Sequence, residues 1–471
     1  MNGSNGFPAE FTARMQKLLK NEYTDFINGF EKQENRSLRV NTLKGDRERF
    51  LQVSPFTLEP VAWEKNGFYY GEEERPGRHL FHEAGVYYIQ EASAMLPVSC
   101  MEAKPGERIL DLCAAPGGKS TQIGAAMQGE GLLVCNEIHA DRARILSENI
   151  ERMGIVNAVV TNETPQALTE VFWEYFDRIL VDAPCSGEGM FRKKEEACLQ
   201  WSVENVELCA KRQDEILDCA AKMLSPGGRI VYSTCTFAPE ENEGSVSRFL
   251  KRNPLFELTE TTLYEGTERG RKEWVREPAE GIEKTLRIFP HRARGEGHFA
   301  AVFEKKGNQG EAFRGGCRNG EQKGLKPKEY KEFTEFAQQN LKVLPKGVYL
   351  RFGEQLYLVP EGTPSFDGLR VLRPGLHLGT MKKNRFEPAH ALALAYRADQ
   401  VVNSLNFAIG EERAVRFVEG QTFAAEGEKG WYLITAEGYS LGWGKLAGGI
   451  MKNHYPKGLR KQVSWEIDSR E

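Results

Sequence analysis

The chain is 471 residues long, which at roughly 150 residues per domain implies about three domains and excludes a peptide or mini-scaffold. A hydrophobic fraction of 40% beside 28% charged residues, with 26 Phe and 15 Tyr, excludes disorder throughout. The balance of 63 basic against 67 acidic residues gives a net charge of −4, which excludes coating of nucleic acid by bulk charge but leaves room for a local basic groove.

Residues 1–30 carry Glu10, Arg14, Lys17, Lys20, Glu22 and Asp25, so they lack the apolar core of a signal peptide, and no run of about 18 apolar residues occurs. A soluble cytoplasmic chain, with no membrane partner, is expected. The nine Cys are odd in number and irregularly spaced, unlike a disulfide framework or a paired zinc signature, so free thiols and no metal centre are expected.

In chain order, residues 9–31 have helical spacing (Phe11, Met15, Leu18, Leu19, Tyr23, Phe26), followed by a strand-like stretch at 38–42 and Gly- and Pro-punctuated sequence up to Pro76. The pattern predicts a small α+β domain over 1–91. From 92 to 303, apolar runs at 108–111, 132–135, 157–160, 178–182 and 229–233 alternate with helical spacing, which predicts a parallel sheet with crossover helices. Residues 304–328 hold six Gly among charged and polar residues, a linker by composition. A small mixed module is expected at 329–385 and a second, ending in strands and Gly-rich turns, at 386–471.

Asp-Leu-Cys-Ala-Ala-Pro-Gly-Gly-Lys-Ser at 111–120 follows a predicted strand and opens a predicted helix. Small residues there let the backbone approach a ligand, and the helix start offers unpaired N–H groups. The loop is neither G-x-G-x-x-G nor a Walker A sequence. Glu137 stands 19 residues after Gly118, at the end of the next apolar run, placed to accept from both hydroxyls of a ribose.

Two further predicted strands end in cysteine. One runs into Asp182-Ala-Pro-Cys185, the other into Ser233-Thr-Cys235. The carboxyl ends of strands in open α/β sheets line the ligand crevice, so both thiols should face it, whereas Cys209 and Cys219 lie on a helical pattern and read as small hydrophobes. Enzymes that methylate the adenine amino group need an aromatic where position 185 is Cys. A thiol suits a different reaction: addition to carbon 6 of a pyrimidine makes carbon 5 nucleophilic, and an acid at ring nitrogen 3 assists. Asp182 is the candidate for that assistance.

The segments at 111–119, 182–189 (Asp-Ala-Pro-Cys-Ser-Gly-Glu-Gly) and 232–237 (Tyr-Ser-Thr-Cys-Thr-Phe), with Glu-Glu-Asn-Glu at 240–243, resemble the Sun-type RNA 5-methylcytosine methyltransferases. The layout resembles the branch of ribosomal RNA small-subunit methyltransferase F (RsmF), as do Arg-Val-Asn-Thr at 39–42, Gly-Val-Tyr-Tyr-Ile-Gln-Glu at 85–91, Arg-Ile-Phe-Pro-His at 287–291 and Gly-Glu-Gly-His-Phe at 295–299. The likeness spans nearly the whole chain and is strongest over 85–303. It implies an α/β fold: a Rossmann-like class I methyltransferase core with a mostly parallel doubly wound sheet, a small α+β N-terminal RNA-binding domain at 1–91, a small C-terminal α+β module and a PUA-like β-rich RNA-binding domain at 386–471.

By the same resemblance, Cys235 is the nucleophile on carbon 6 and Cys185 assists resolution of the adduct. Cys113, Ala114, Ala115, Pro116, Gly117, Gly118 and Lys119 hold the methionine part of S-adenosylmethionine, Glu137 the ribose, and Asp182 lies near donor and base. Arg142 takes a cofactor-side role. Thr164 stands at the aligned place of an Asp usual near the adenine, which leaves Glu163 as the adenine candidate. The implied reaction is methyl transfer to carbon 5 of cytidine in RNA, 16S-type ribosomal RNA first and transfer RNA as the alternative, by a monomer acting on free RNA or within the small subunit.

Lys445, Lys452, Lys457, Arg460 and Lys461, interleaved with His454 and Tyr455 and without an acid, suit a phosphate track with a stacking base, although such runs are often solvated faces. Lying across a flexible linker from both thiols, this module should add RNA affinity rather than chemistry. Arg192, Lys193 and Lys194 follow the Cys185 loop, where a substrate strand would pass. Two rivals are weaker. A nucleotide-dependent oxidoreductase predicts a G-x-G-x-x-G turn that is missing, and a catalytically idle RNA-binding assembly factor has no need of both strand-end thiols.

Overall fold

The computed structural model describes residues 6–31, 34–193, 195–307 and 316–465. The first helical stretch is two helices, Ala9–Leu19 and Tyr23–Glu31, broken where Lys20 takes a positive φ of 50°. Their apolar faces (Phe11, Met15, Phe26, Phe30) pack on Phe191, Trp201, Phe237 and Phe289 of the central region, beside the loops that carry both candidate thiols. The rest of the N-terminal region is an antiparallel sheet in the order Leu58–Val61, Glu64–Tyr70, Ser37–Val40, Tyr87–Ile89.

The centre is a ten-stranded sheet. Leu224–Thr234, Phe176–Asp182, Arg108–Asp111, Leu132–Asn136 and Ala158–Thr161 lie side by side and parallel. These strands are apolar on both faces, as strands covered on both sides must be. Ile109, Leu133 and Leu180 face the helices Gly118–Met127 and Ala140–Arg152, while Leu110, Val134 and Ile179 face the helix Val203–Met223. The sheet is less parallel than expected. His298–Lys305, Leu286–Ile288, Thr267–Arg269 and Phe256–Leu258 add to one flank antiparallel, because neighbours such as Leu286–Ile288 and His298–Lys305 are joined by a connection too short for a crossover helix.

On the opposite edge, Val371–Arg373, from the region expected to be a separate module, pairs antiparallel with Ala158–Thr161. It covers backbone groups that an open edge would leave bare. Of the segment read as a linker, 308–315 lie outside the described residues, and the stretches on either side of them are held in place. His298–Lys305 runs into it, Gly316–Cys317 pairs with Phe172–Trp173, and Leu325 donates its N–H to the Tyr349 carbonyl at 2.9 Å. Cys317 and Leu325 also pack against apolar clusters, partners that composition alone does not reveal.

Beyond it lie a four-stranded sheet (Val348–Phe352, Gln355–Val359, Leu376–Lys382, Arg385–Pro388) and a five-stranded one (Ser404–Phe407, Gly430–Ala436, Tyr439–Ala447, Ile450–Asn453, Phe423–Ala424). The second sheet is no appendage: Phe407, Phe417, Tyr439 and Trp465 share one apolar core with Phe50, Phe68, Phe81 and Tyr87 of the N-terminal region. Removing 386–471 would open that shared core, so it would not separate RNA affinity from the rest of the molecule.

Candidate active site

The sheet places its chemistry at the carboxyl ends of neighbouring parallel strands. Asp111 ends the central strand and is fully buried, accepting from Ser120 Oγ at 2.6 Å; burial raises its carboxyl to about 7. After it the chain turns through Gly117, whose φ of +112° and closeness to Leu146 favour glycine, into the helix Gly118–Met127. A Cβ on Gly118 would lie 3.3 Å from Tyr88 and 3.4 Å from Gln90. Arg39 braces this turn from the N-terminal sheet. Its buried guanidinium donates to the Gly118 carbonyl and to Thr121 Oγ1, both at 2.9 Å, and to Gln90. The sequence marked Arg-Val-Asn-Thr but gave Arg39 no task.

Glu137 is buried at the end of Leu132–Asn136. Arg142 pairs with it at 3.3 Å and donates to the Ala115 carbonyl at 2.7 Å, joining the acid to the Gly-rich turn. Cys113 lies on the same turn, its thiol pushed up by burial. Glu163 stands at the next strand end, but Arg370 engages it: the Arg370 backbone N–H donates at 2.7 Å and its guanidinium at 3.2 and 3.3 Å. Thr164 accepts from the Ala167 N–H and caps the helix Pro165–Thr169, which is a local task for a hydroxyl. No sequence signal linked Glu163 to Arg370.

Phe176–Asp182 and Leu224–Thr234 run parallel with Ser233 opposite Asp182, which brings the two cysteine loops together. Cys185 Sγ and Cys235 Sγ are 3.3 Å apart, and the Cys235 N–H points at Cys185 Sγ at 3.4 Å. Both thiols are partly exposed. The hydrogen bond with Cys235, and then burial, push the Cys185 thiol well up, so it keeps its proton. Asp182 accepts from Lys119 Nζ and from Ser233 Oγ, each at 2.7 Å, with His298 Nε2 at 3.8 Å. Burial opposes ionisation of Asp182, but Lys119 and His298 outweigh it and hold the carboxyl far below the usual range. Asp182 therefore enters as an ion-paired carboxylate, an acceptor, and the proton donor beside it is Lys119.

Buried carboxylates fix the two loops against each other. Glu241 accepts from the Ser186 N–H and hydroxyl and from Gln213 Nε2; burial raises its carboxyl to about 7. Glu188 accepts from Phe237 N–H, from Trp201 Nε1 and from Arg14 of the first helix. Asn242 holds Thr234 and the Thr236 carbonyl, and Glu243 pairs with Arg287. The Glu-Glu-Asn-Glu motif is thus a clamp on the strand ends. Its acidity was visible in the sequence, but its targets were not.

The cations expected beside the substrate are spent on protein. Arg192 donates to Glu296 and to the Gly29 carbonyl, and Lys193 pairs with Glu34 at 3.0 Å; Lys194 lies outside the described residues. In the C-terminal run, Tyr455 is only 2% exposed and offers no stacking face, Lys461 pairs with Glu83, and Lys445 sits over the Trp431 ring. An apolar core claims an aromatic that spacing alone assigned to RNA.

A Gly-rich turn, an acid closing the next strand and two facing thiols, all at one end of a parallel sheet, define an α/β enzyme of the methyltransferase type. Family profiles agree along the chain: 16S rRNA methyltransferase RsmB/F over residues 98–304, the N-terminal domain of RsmF over 7–92, the RsmF first C-terminal domain over 335–396 and the methyltransferase RsmF PUA domain over 404–461. The chain is 33% identical to a Shewanella oneidensis protein named ribosomal RNA small subunit methyltransferase F, covering 93% of each, and 34% identical to one of that name from Vibrio campbellii, covering 96% and 97%. Among solved structures it resembles a methyltransferase homologue from Pyrococcus horikoshii at 29% identity, with a TM-score of 0.57 over 64% of this chain and 96% of that one. The chain belongs to the 16S rRNA methyltransferase RsmB/F family, in its RsmF branch, and is an RNA methyltransferase. Among the described residues, no helix is long and apolar enough to cross a membrane.

Proposed function

We propose that the protein methylates carbon 5 of a cytidine in 16S-type ribosomal RNA, as a cytoplasmic monomer, through an adduct between Cys235 and carbon 6. The observation that carries this reading is the Cys185–Cys235 pair, 3.3 Å apart at adjoining strand ends beside an ion-paired Asp182. S-adenosylmethionine supplies an electrophilic methyl group. The turn at 113–119 fits such a group, since it follows a strand end and opens the helix Gly118–Met127 with its first N–H groups, and buried Glu137, closing the next strand, is set to accept from ribose hydroxyls.

Cys235 adds as thiolate to carbon 6, and the ring becomes an enamine with a nucleophilic carbon 5. Asp182, ionised, accepts from the cytosine amino group, while the Lys119 ammonium beside it offsets negative charge that develops on the ring. After methylation, the carbon 5 proton passes to water, its electron pair restores the ring double bond, and the carbon 6–sulfur bond breaks with its electrons on Cys235. Cys185, still protonated and 3.3 Å away, is placed to hand a proton to the departing sulfur. Incubation with labelled S-adenosylmethionine and unmodified ribosomal RNA should label RNA as 5-methylcytidine. RNA left unlabelled by a protein that binds the donor would overturn the reading.

A further inference from the structure

Of the cations that the sequence offered to RNA, Arg192, Lys193 and Lys461 are paired with carboxylates, while Lys452, Lys457 and Arg460 stand exposed; positive charge also gathers at a second place. A groove of about 560 Å³ lies along the seam between the N-terminal sheet and the C-terminal half. Arg47, Arg49, Lys65 and Arg397 line it against two acids, Asp46 and Glu48; Arg397 also lies 3.5 Å from Asp399, and Lys44 at the groove's edge is buried, which lowers it to about 7, and bound to the Leu394 carbonyl. Asp46 is already engaged by the Arg49 N–H at 2.7 Å.

Arg47 lies over Phe68 and Arg49 over Tyr439, with ring centroids at 5.0 and 5.3 Å, and the Arg49 guanidinium donates to the Glu437 carbonyl. These contacts orient the guanidinium groups without cancelling their charge. Among the described residues, no carboxylate pairs with Arg47, Arg49 or Lys65, and Arg47 Nε is buried without a hydrogen-bond partner. On a chain whose net charge is −4, this groove reverses the local sign.

The groove continues inward. Thr42, Lys65 and Asn66 also line a second cavity of about 560 Å³, which reaches Arg39 and Gln122. Arg39 Nε and Gln122 Oε1 are buried there without partners, and the same Arg39 holds the Gly118 carbonyl of the Gly-rich turn.

We propose that this seam binds the phosphodiester backbone of the RNA substrate away from the target nucleotide, with Arg47, Arg49, Lys65 and Arg397 on successive phosphates. Guanidinium and ammonium groups bind phosphate through charge-assisted hydrogen bonds and release its counterions. The seam exists only where the N-terminal and C-terminal regions share their core, so one continuous RNA site is built from both ends of the chain. The inference rests on RNA being the substrate and adds where that RNA lies.

The test uses the full chain with Lys65→Glu and Arg397→Glu together, both exposed, and an unmodified transcript of 16S ribosomal RNA. The dissociation constant should rise on the order of tenfold or more, and the slope of log affinity against log salt should fall by about 1.4, at roughly 0.7 per lost single-strand phosphate contact. Cofactor affinity, measured on the same preparation, should stay unchanged. In the unsubstituted protein, RNA should protect Lys65 from acetylation, and inorganic phosphate at equal ionic strength should not. An unchanged salt slope, or Lys65 acetylated as fast with RNA as without, overturns the proposal. A chain that labels RNA yet shows either of those results keeps its methyltransferase reading and loses the seam.

Discussion

The two ends of the crevice are held in different ways. At the thiol end, Glu188, Glu241, Asn242 and Glu243 come from the same loops they fix, and Arg14 is their one support from the first helix. At the far end, Glu163 is held by Arg370, which arrives with a strand from the C-terminal half. The thiol end therefore sits among mostly buried polar contacts, including the fully buried Glu243–Arg287 pair, while the Glu163 end rests on an arginine side chain that is 68% exposed. Chemistry that must keep two sulfurs 3.3 Å apart is clamped locally, and the opposite end depends on a contact across the fold.

The largest effect should come from the sulfurs themselves. Cys235→Ala should lose methyl transfer below detection and form no covalent RNA complex. Cys185→Ala should still attack and methylate but fail to release, so a protein–RNA adduct should survive denaturing electrophoresis. Adduct from the Cys235→Ala protein instead would exchange the two roles.

Glu241 tests the clamp through pH. Its carboxyl is raised from 4.5 to about 7 in the fold, so its contribution is full below the unfolded value and is lost as pH rises through the folded one. Between pH 4.5 and about 7 the unsubstituted protein should lose on the order of 3 kcal/mol relative to Glu241→Gln. Thermal unfolding of both proteins at pH 5 and pH 8 measures this, and parallel profiles would mean that Glu241 does not titrate there.

At the cofactor end, Glu137→Ala should weaken S-adenosylmethionine more than tenfold, since two ribose hydroxyls lose an ionised acceptor worth roughly 1.5–3 kcal/mol per bond. Calorimetry with unchanged affinity would remove Glu137 from the site. The smallest effect belongs to Arg370→Ala. A solvent-exposed ion pair is weak, so cofactor affinity should fall less than about fivefold, with KM for the donor rising and kcat at saturation unchanged. A loss as large as that of Glu137→Ala would show that the crevice leans equally on both supports.

The motifs that were legible share a physical basis: each is a short run whose meaning lies in its own backbone. The Gly-rich turn at 111–120 and the strand ends at 182–185 and 233–235 could be placed because a buried parallel strand has a recognisable apolar pattern and its carboxyl end faces the crevice. Glu163 could not be understood that way, because its partner is 207 residues distant. Tyr455 was misread for the same reason. Its spacing among cations resembles a nucleic-acid face, and only the neighbouring Phe417 and His390 rings reveal a core residue.

The sequence by itself determined the alternation of strand and helix, the parallel centre of the sheet and the residues that end its strands, since local periodicity and turn chemistry carry that information. Tertiary structure decided the antiparallel flank, the docking of 371–373 on the sheet edge, the core shared by the two ends of the chain and the ion-paired state of Asp182. Those outcomes depend on which buried faces and charges meet, and residues far apart in sequence carry no local mark of the partner that will cover or neutralise them.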